Sequence, residues 1–351
     1  MKILFVSNSA PNKLNALYDA FQELSNKEVD ILYKEKKYKT SYQRKRNLSH
    51  QLLAKIGLPA DNGLNKRLLN QLKQKEYDLI LVVKGNTLFP NTIKSIKKLY
   101  KKTKIINWSL DDMYAKHNRS RYYTRGIKYY DLVVTSKSYN CNNKELPSLG
   151  VKDILFLYQA FDKNIHKPCQ KCEDVRENHD VIFIGYAEKE RFQYMNYLAY
   201  HGVEIHIYGS GWNKPQFQNH HKNIHLHFET LLNKQYSDAI SCSKVALCFL
   251  RKINRDLHTS RSIEIPACRT LMIAERTDEH NNLFIEDKEA VYFSSKEELL
   301  EKVKFFTEND MKREIIAMNG YKKCLDQDYS YHNMAKKILN HLKLKKYELQ
   351  A

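Results

Sequence analysis

Residues 180–212 read DVIFIGYAEKERFQYMNYLAYHGVEIHIYGSGW. An apolar run, DVIFIG (180–185), ends in glycine, and an amphipathic stretch, Glu188–His201, follows it. A second apolar run, VEIHIYG (203–209), ends in glycine again. Two buried-type strands joined by a helix make a βαβ unit, whose strands run parallel. The rhythm continues outward in NIHLHF (223–228), KVALCFL (244–250), TLMIA (270–274) and AVYF (290–293). A short helix is expected at Ser260–Ala267, and terminal helices over 296–306, 309–323 and 331–343.

The first half repeats the pattern with ILFVS (3–7), VDILY (29–33), DLILVV (78–83), KIINWS (104–109) and DLVVTS (131–136). Helical periodicity lies between them at Leu14–Leu24, Leu64–Lys73 and Asn91–Lys101. These runs are continuously apolar rather than alternating, so both faces of each sheet should be covered. The expected fold class is α/β, with two Rossmann-like, doubly wound parallel-sheet domains facing across a cleft. A proline and a charged stretch near 161–179 (CQKCEDVRENHD among them) suggest a linker. The expected division is 1–160, a linker 161–179, a second domain 180–330, and a C-terminal helix 331–351 packing back toward the first domain.

Length and composition agree. A chain of 351 residues with 42% hydrophobic residues can bury two cores. The opening MKILFVSN is too short an apolar run for a signal peptide, and no window approaches a membrane span. Seven cysteines, odd in number and scattered, suit a reducing compartment, so the expected location is cytoplasmic, at most peripheral at the inner face of the membrane.

The net charge of +19 is unevenly spread: residues 1–165 hold 31 Lys and Arg against 14 Asp and Glu, and residues 166–351 hold 28 against 26. The first half is expected to face an anionic membrane, a phosphorylated carrier or nucleic acid, against the plain alternative of a lysine-rich solvated surface. Residues 33–46, YKEKKYKTSYQRKR, mix tyrosines with cations and suit an anionic membrane interface; single-stranded nucleic acid and a solvated loop are the alternatives. Nucleic acid is the disfavoured partner.

The stretch 251–274, RKINRDLHTSRSIEIPACRTLMIA, concentrates the candidate chemistry. Lys252, Asn254, His258, Ser260, Arg261 and Ser262 surround an expected helix start, where N–H groups and cationic side chains converge on an anion such as a diphosphate. Arg261 is unfavourable for the helix dipole unless it serves an anion. Glu264, one turn in, is placed to accept hydrogen bonds from sugar hydroxyls. Gly185 and Gly209, ending consecutive strands, allow close approach of a ligand to the backbone.

In the first half, Asp111 and Asp112 follow the strand KIINWS, where one would serve as a general base or cap the next turn. Lys84 and Asn86 follow the neighbouring strand as candidate acceptor-side residues, where Lys84 would neutralise phosphate or equally be a solvated loop lysine. No G-x-G-x-x-G or P-loop occurs, which excludes the common dinucleotide and kinase-type sites. His166, Cys169 and Cys172 lack a second ligand pair for a metal, so no metal and no cofactor are expected. His225 with His227, and Asp326 with Asp328, are discounted likewise.

Together these segments resemble the CgeB-like glycosyltransferases, a two-domain family of GT-B architecture. The resemblance rests on 180–212, on HTSRSIEIPACRTLMIA (258–274) with AVYFSSKEELLEKVKFF (290–306), and on YDLILVVKGN (77–86) and INWSLDD (106–112). It implies a nucleotide-sugar donor, with Glu264 on ribose or sugar hydroxyls, Arg261 on the diphosphate, and Asp111 or Asp112 facing the acceptor. Two positions depart from the family pattern: Asp256 stands where an E-x7-E pair begins, and Arg269 stands where glycine is usual. The expected activity is metal-independent, hexosyltransferase-like transfer to a glycan or lipid-linked acceptor in cell-envelope polysaccharide synthesis. The alternatives are a nucleotide-sugar epimerase of the same architecture and a non-catalytic protein binding nucleic acid or membrane through its basic half.

Overall fold

Burial on both faces explains why the central sheet strands are continuously apolar; twelve strands occur among the described residues, and three of the four edge strands are only partly buried. The structure, a computed structural model, describes residues 1–8, 15–34, 48–175 and 178–345. The described chain divides into two units: Met1–Tyr158 with residues 331–345, and Gln159–Ser330.

In the first unit the strands are β1 (Ile3–Ser7), β2 (Val29–Tyr33), β3 (Leu79–Val83), β4 (Lys104–Ser109), β5 (Leu132–Thr135) and β6 (Ile154–Phe156). All pair in parallel, in the order β2-β1-β3-β4-β5-β6. The order reverses between β1 and β3, which opens a crevice at their carboxyl ends. Helices Asn15–Leu24, Leu64–Gln74 and Pro90–Leu99 lie close to their expected spans. Leu48–Lys55 and the short Arg121–Gly126 are additional, the latter started by Ser120, whose Oγ accepts from the Tyr123 N–H at 2.9 Å. The C-terminal helix Tyr331–His341 belongs to this unit and packs on Asn15–Leu24. His332 lies 3.2 Å from Glu23 and His341 lies 2.9 Å from Asp153.

The second unit holds β7 (Val181–Ile184), β8 (Ile205–Tyr208), β9 (Ile224–His227), β10 (Val245–Cys248), β11 (Leu271–Glu275) and β12 (Val291–Phe293). They form a parallel sheet in the order β12-β11-β10-β7-β8-β9, the dinucleotide-fold order, which reverses between β7 and β10. Its core includes Phe183, Met195, Trp212, Phe249 and Phe293. Gly209, at φ +127°, is required by the fold itself: a Cβ there would lie 2.4 Å from the Gly185 carbonyl oxygen.

Residues 159–175, read from sequence as the end of one domain and a linker, cluster with the second unit. Lys167 N–H donates to Ser237 Oγ at 3.3 Å, Cys169 N–H donates to Ser241 Oγ at 2.8 Å, and a disulfide joins Cys172 to Cys242. The segment is therefore fastened along helix Asn233–Ser241.

Candidate functional site

In an open α/β sheet, ligands bind beyond the carboxyl ends of the strands where the order reverses. In the second unit that point lies between β7 and β10. The loop after β7 carries Gly185, Tyr186 and Glu188, and helix Lys189–Tyr200 starts there. The chain after β10 carries Arg251 and leads to helix Arg261–Ala267.

A cluster of cations occupies this place. Arg191, in the first turn of its helix, is buried to 3% exposure. It donates to the Tyr186 carbonyl at 3.3 Å and lies 3.6 Å from Glu188, which also accepts from Arg251 at 2.8 Å. Even so, Arg191 Nε and Nη2 have no hydrogen-bond partner among the described residues, and neither does the buried Nε of Arg261. Burial, then the nearby positive charge of Arg261, pull the Arg191 guanidinium below its ordinary pKa. Two cations held together with unsatisfied buried donors are costly alone, and an anion between them would relieve that cost.

Gly185 contributes indirectly. Its N–H donates to Tyr208 and its carbonyl accepts from Trp212 Nε1, both at 2.9 Å. A Cβ there would lie 2.7 Å from the Phe183 ring, and that ring lies 5.8 Å from the Arg191 guanidinium.

Helix Arg261–Ala267 and its cap leave Ser260, Arg261 and Glu264 partly exposed and bury Ser262, Ile263 and Ile265. Arg261 and Glu264 are three apart and so are neighbours on one helix face. Tyr236 Oη donates to Glu264 Oε2 at 2.7 Å, and His166 Nε2 lies 3.9 Å from Oε1. The Asp162 N–H donates to His166 Nδ1 at 2.9 Å, so the neutral ring carries its proton on Nε2, facing the carboxylate. Burial and the adjacent Glu264 hold the Tyr236 hydroxyl well above its usual pKa, which keeps it a donor.

Several expected donor-side residues are engaged inside the fold instead. Lys252 pairs with Glu275, whose other oxygen accepts from the Leu250 N–H at 2.7 Å. Asn254 is buried and donates to Asp256 at 2.7 Å. His258, fully buried, accepts the Gln159 N–H on Nε2 at 2.9 Å and bonds Glu279 through Nδ1. Ser262 Oγ accepts from Thr259 N at 2.9 Å and bonds His280 at 2.7 Å. The N–H groups of Ser262, Ile263 and Glu264 all donate to carbonyls of residues 259–260. Those three helix amides are engaged, and the guanidinium groups supply charged donors at this site.

Arg191 was missed in the sequence. The signal was present: a basic residue in the first turn of a helix, the same conflict with the helix dipole that marked Arg261.

In the first unit, Asp111 and Lys84 form a 2.5 Å ion pair at the carboxyl ends of β4 and β3, both partly exposed. Asp112 is different: fully buried, it accepts from Tyr114 N at 3.1 Å, Ala115 N at 3.2 Å and Asn140 Nδ2 at 2.9 Å. It is the cap of a turn, and its carboxylate does not face solvent. Asn86 clamps the loop 118–120, donating to the Asn118 carbonyl at 2.8 Å and accepting from Ser120 N at 3.0 Å. In that loop Arg119 stacks on Tyr114, and its Nη1 is buried with no partner among the described residues. The candidate membrane segment 33–46 lies outside the described residues beyond Lys34. No helix among the described residues is long and apolar enough to cross a membrane.

Residues 192–340 match a family model described as glycosyl transferase-like. No curated protein matches. Among solved structures, the chain is similar to Alr3699/HepE of Anabaena in complex with UDP-glucose, at 14% identity and a TM-score of 0.67, covering 98% of this chain and 100% of that one. It is similar also to sucrose-phosphate synthase of Thermosynechococcus elongatus (9% identity, TM-score 0.65, 98% and 99% covered). A glycosyltransferase of Rickettsia africae is comparable (12% identity, TM-score 0.63, 98% of each chain covered). The chain thus has the GT-B fold, two Rossmann-like parallel-sheet units, and carries a glycosyl transferase-like region over 192–340.

Proposed function

We propose that this protein is a glycosyltransferase that binds a nucleoside-diphosphate sugar at the β7–β10 switch point. The observation that carries the reading is the pair Arg191 and Arg261, cations whose buried nitrogens lack hydrogen bonds among the described residues, at the place where such a sheet receives its ligand. The diphosphate bridges the two guanidiniums, and Glu264, steadied by Tyr236, accepts hydrogen bonds from ribose or sugar hydroxyls. UDP-glucose is the donor of first choice, because the Anabaena neighbour is complexed with it.

In the reaction an acceptor hydroxyl attacks the anomeric carbon as the bond to the diphosphate oxygen breaks. The hydroxyl proton passes to a carboxylate, for which we propose Asp111, the solvent-facing member of the Asp111–Asp112 pair. The departing diphosphate takes the electron pair, and Arg191 and Arg261 stabilise its charge in a transfer that we propose needs no metal. The chemistry is hexosyl transfer. The acceptor we propose is a glycan or lipid-linked glycan of the cell envelope, bound by the basic first unit, where Lys84 and Arg119 stand at or near the strand ends. Membership of the CgeB-like family and peripheral contact with anionic lipid through residues 33–46 belong to the same reading. Both are supported by sequence motif and charge.

The test is turnover of radiolabelled UDP-glucose with a membrane-extracted acceptor pool. Label should move to the acceptor as UDP is released, and Arg191→Ala should abolish both. Interconversion of the sugar with no acceptor labelling would contradict the reading.

A further inference from the structure

Cys169 and Cys172 have the C-x2-C spacing of a structural metal site, but the sequence around them supplies no further pair of ligands. The fold supplies a third sulfur from elsewhere. Cys242, the residue that ends helix Asn233–Ser241, comes against both, and the three sulfurs all lie within 4.8 Å of one another. Cys172 and Cys242 are joined as a disulfide, and Cys169 is a thiol. Zinc–sulfur bonds of about 2.3 Å place the sulfurs of a tetrahedral site roughly 3.8 Å apart, against the 4.8 Å within which these three lie.

The sulfurs border a cavity of about 310 Å³ also lined by Lys244, Arg269, Arg313 and Glu314. The three cations, of which Lys244 is paired with Asp180 and Arg313 with Asp310, offset part of the net negative charge of a three-thiolate zinc centre. The loop is held in place without the sulfurs, because the Cys169 N–H donates to Ser241 Oγ at 2.8 Å.

We propose that Cys169, Cys172 and Cys242 form a zinc site in the reduced protein, with a fourth position open to the cavity. A dithiol reductant supplies two electrons and two protons, turning the Cys172–Cys242 disulfide into two thiols while it becomes a disulfide itself. Binding Zn²⁺ then releases three protons from three thiols. The site joins segment 169–172 to the end of the helix that carries Tyr236, the hydrogen-bond partner of Glu264.

The experiment uses the full chain, reduced with dithiothreitol and desalted anaerobically, and titrated with Zn²⁺ and with Co²⁺ as a spectroscopic probe. One ion per chain should bind, and Co²⁺ should give the thiolate-to-metal absorption band. Zinc should protect Cys169 and Cys172 of the unmutated protein from iodoacetamide, read by peptide mass spectrometry, while Cys141 stays reactive. The band should disappear in Cys169→Ser and persist in Cys141→Ser. Failure of the reduced chain to bind zinc, a band that survives Cys169→Ser, or equal alkylation of Cys169 with and without zinc would each overturn the proposal. Equal zinc binding by the oxidised chain would overturn it as well.

Discussion

The Tyr236 hydroxyl donates a 2.7 Å hydrogen bond to Oε2 of Glu264, across 28 residues of sequence. The bond fixes one carboxylate oxygen and turns the other toward the His166 side, on the helix face that also presents Arg261. A hydrogen bond to a charged group contributes about 1.5–3 kcal/mol. Tyr236→Phe should therefore weaken binding of a nucleoside-diphosphate sugar roughly tenfold or more, measured by calorimetry, with its main kinetic effect on KM.

Arg191 should trade stability for binding. Two nitrogens of its buried guanidinium make no hydrogen bond among the described residues, and its one carboxylate neighbour, Glu188, is also held by Arg251, so an apolar residue of similar length removes a desolvation cost. Arg191→Met should raise the melting temperature of the unliganded protein, by about 2–4 °C for each kcal/mol relieved. The same substitution should abolish the stabilisation that UDP confers. A thermal-shift series with and without UDP reads both effects; a fall in the unliganded melting temperature would count against the assignment.

Adjacent aspartates should separate in their effects. Asp112 caps a turn from a buried position, so Asp112→Ala should lower stability by about 1 kcal/mol or more, read by denaturant unfolding. Asp111 is partly exposed, and among the described residues its side chain pairs with Lys84 alone. Asp111→Asn should leave stability within about 0.5 kcal/mol and lower kcat far more than it changes KM.

Stability in acid should depend on a carboxylate cluster in the second unit. Arg276 bridges Glu286 at 2.5 Å and Glu298 at 2.7 Å, and Lys302 joins Glu286 at 3.1 Å. The Arg276 hydrogen bonds hold Glu298 down to about 2 and Glu286 below its usual value. Because the folded-state values are depressed, this stabilisation is fully present above the unfolded carboxylate range and is lost as pH falls through about 2. Arg276→Gln should flatten the pH dependence of unfolding between about pH 5 and 2. An unchanged slope would show that other groups dominate.

Strands were the most legible part of the chain, because a strand covered on both faces shows as a continuous apolar run. Strand β6, only Ile154–Phe156, falls below the length at which such a run stands out, and helix Asn233–Ser241 is too polar for a clear period. At the candidate site the sequence located the neighbourhood but not the direction of each side chain. Arg261 and Ser262 differ by one residue, yet the first is partly exposed and the second is buried and bonds His280. Asp111 and Asp112 diverge in the same way. His258 is buried because Glu279, twenty-one residues on, bonds it, and Cys242 meets Cys172 seventy residues away. Such pairings arise from the tertiary fold, which local periodicity does not encode.

The central claim is that Arg191 and Arg261 bind the diphosphate of the donor. Its most direct test is calorimetric titration of the wild-type, Arg191→Met and Arg261→Met proteins with UDP and with uridine. The account predicts that wild-type protein binds UDP far more tightly than uridine. Each substitution should remove roughly tenfold or more of UDP affinity while leaving uridine affinity nearly unchanged. Equal affinities for UDP and uridine in the wild type, or UDP binding unaffected by both substitutions, would contradict it.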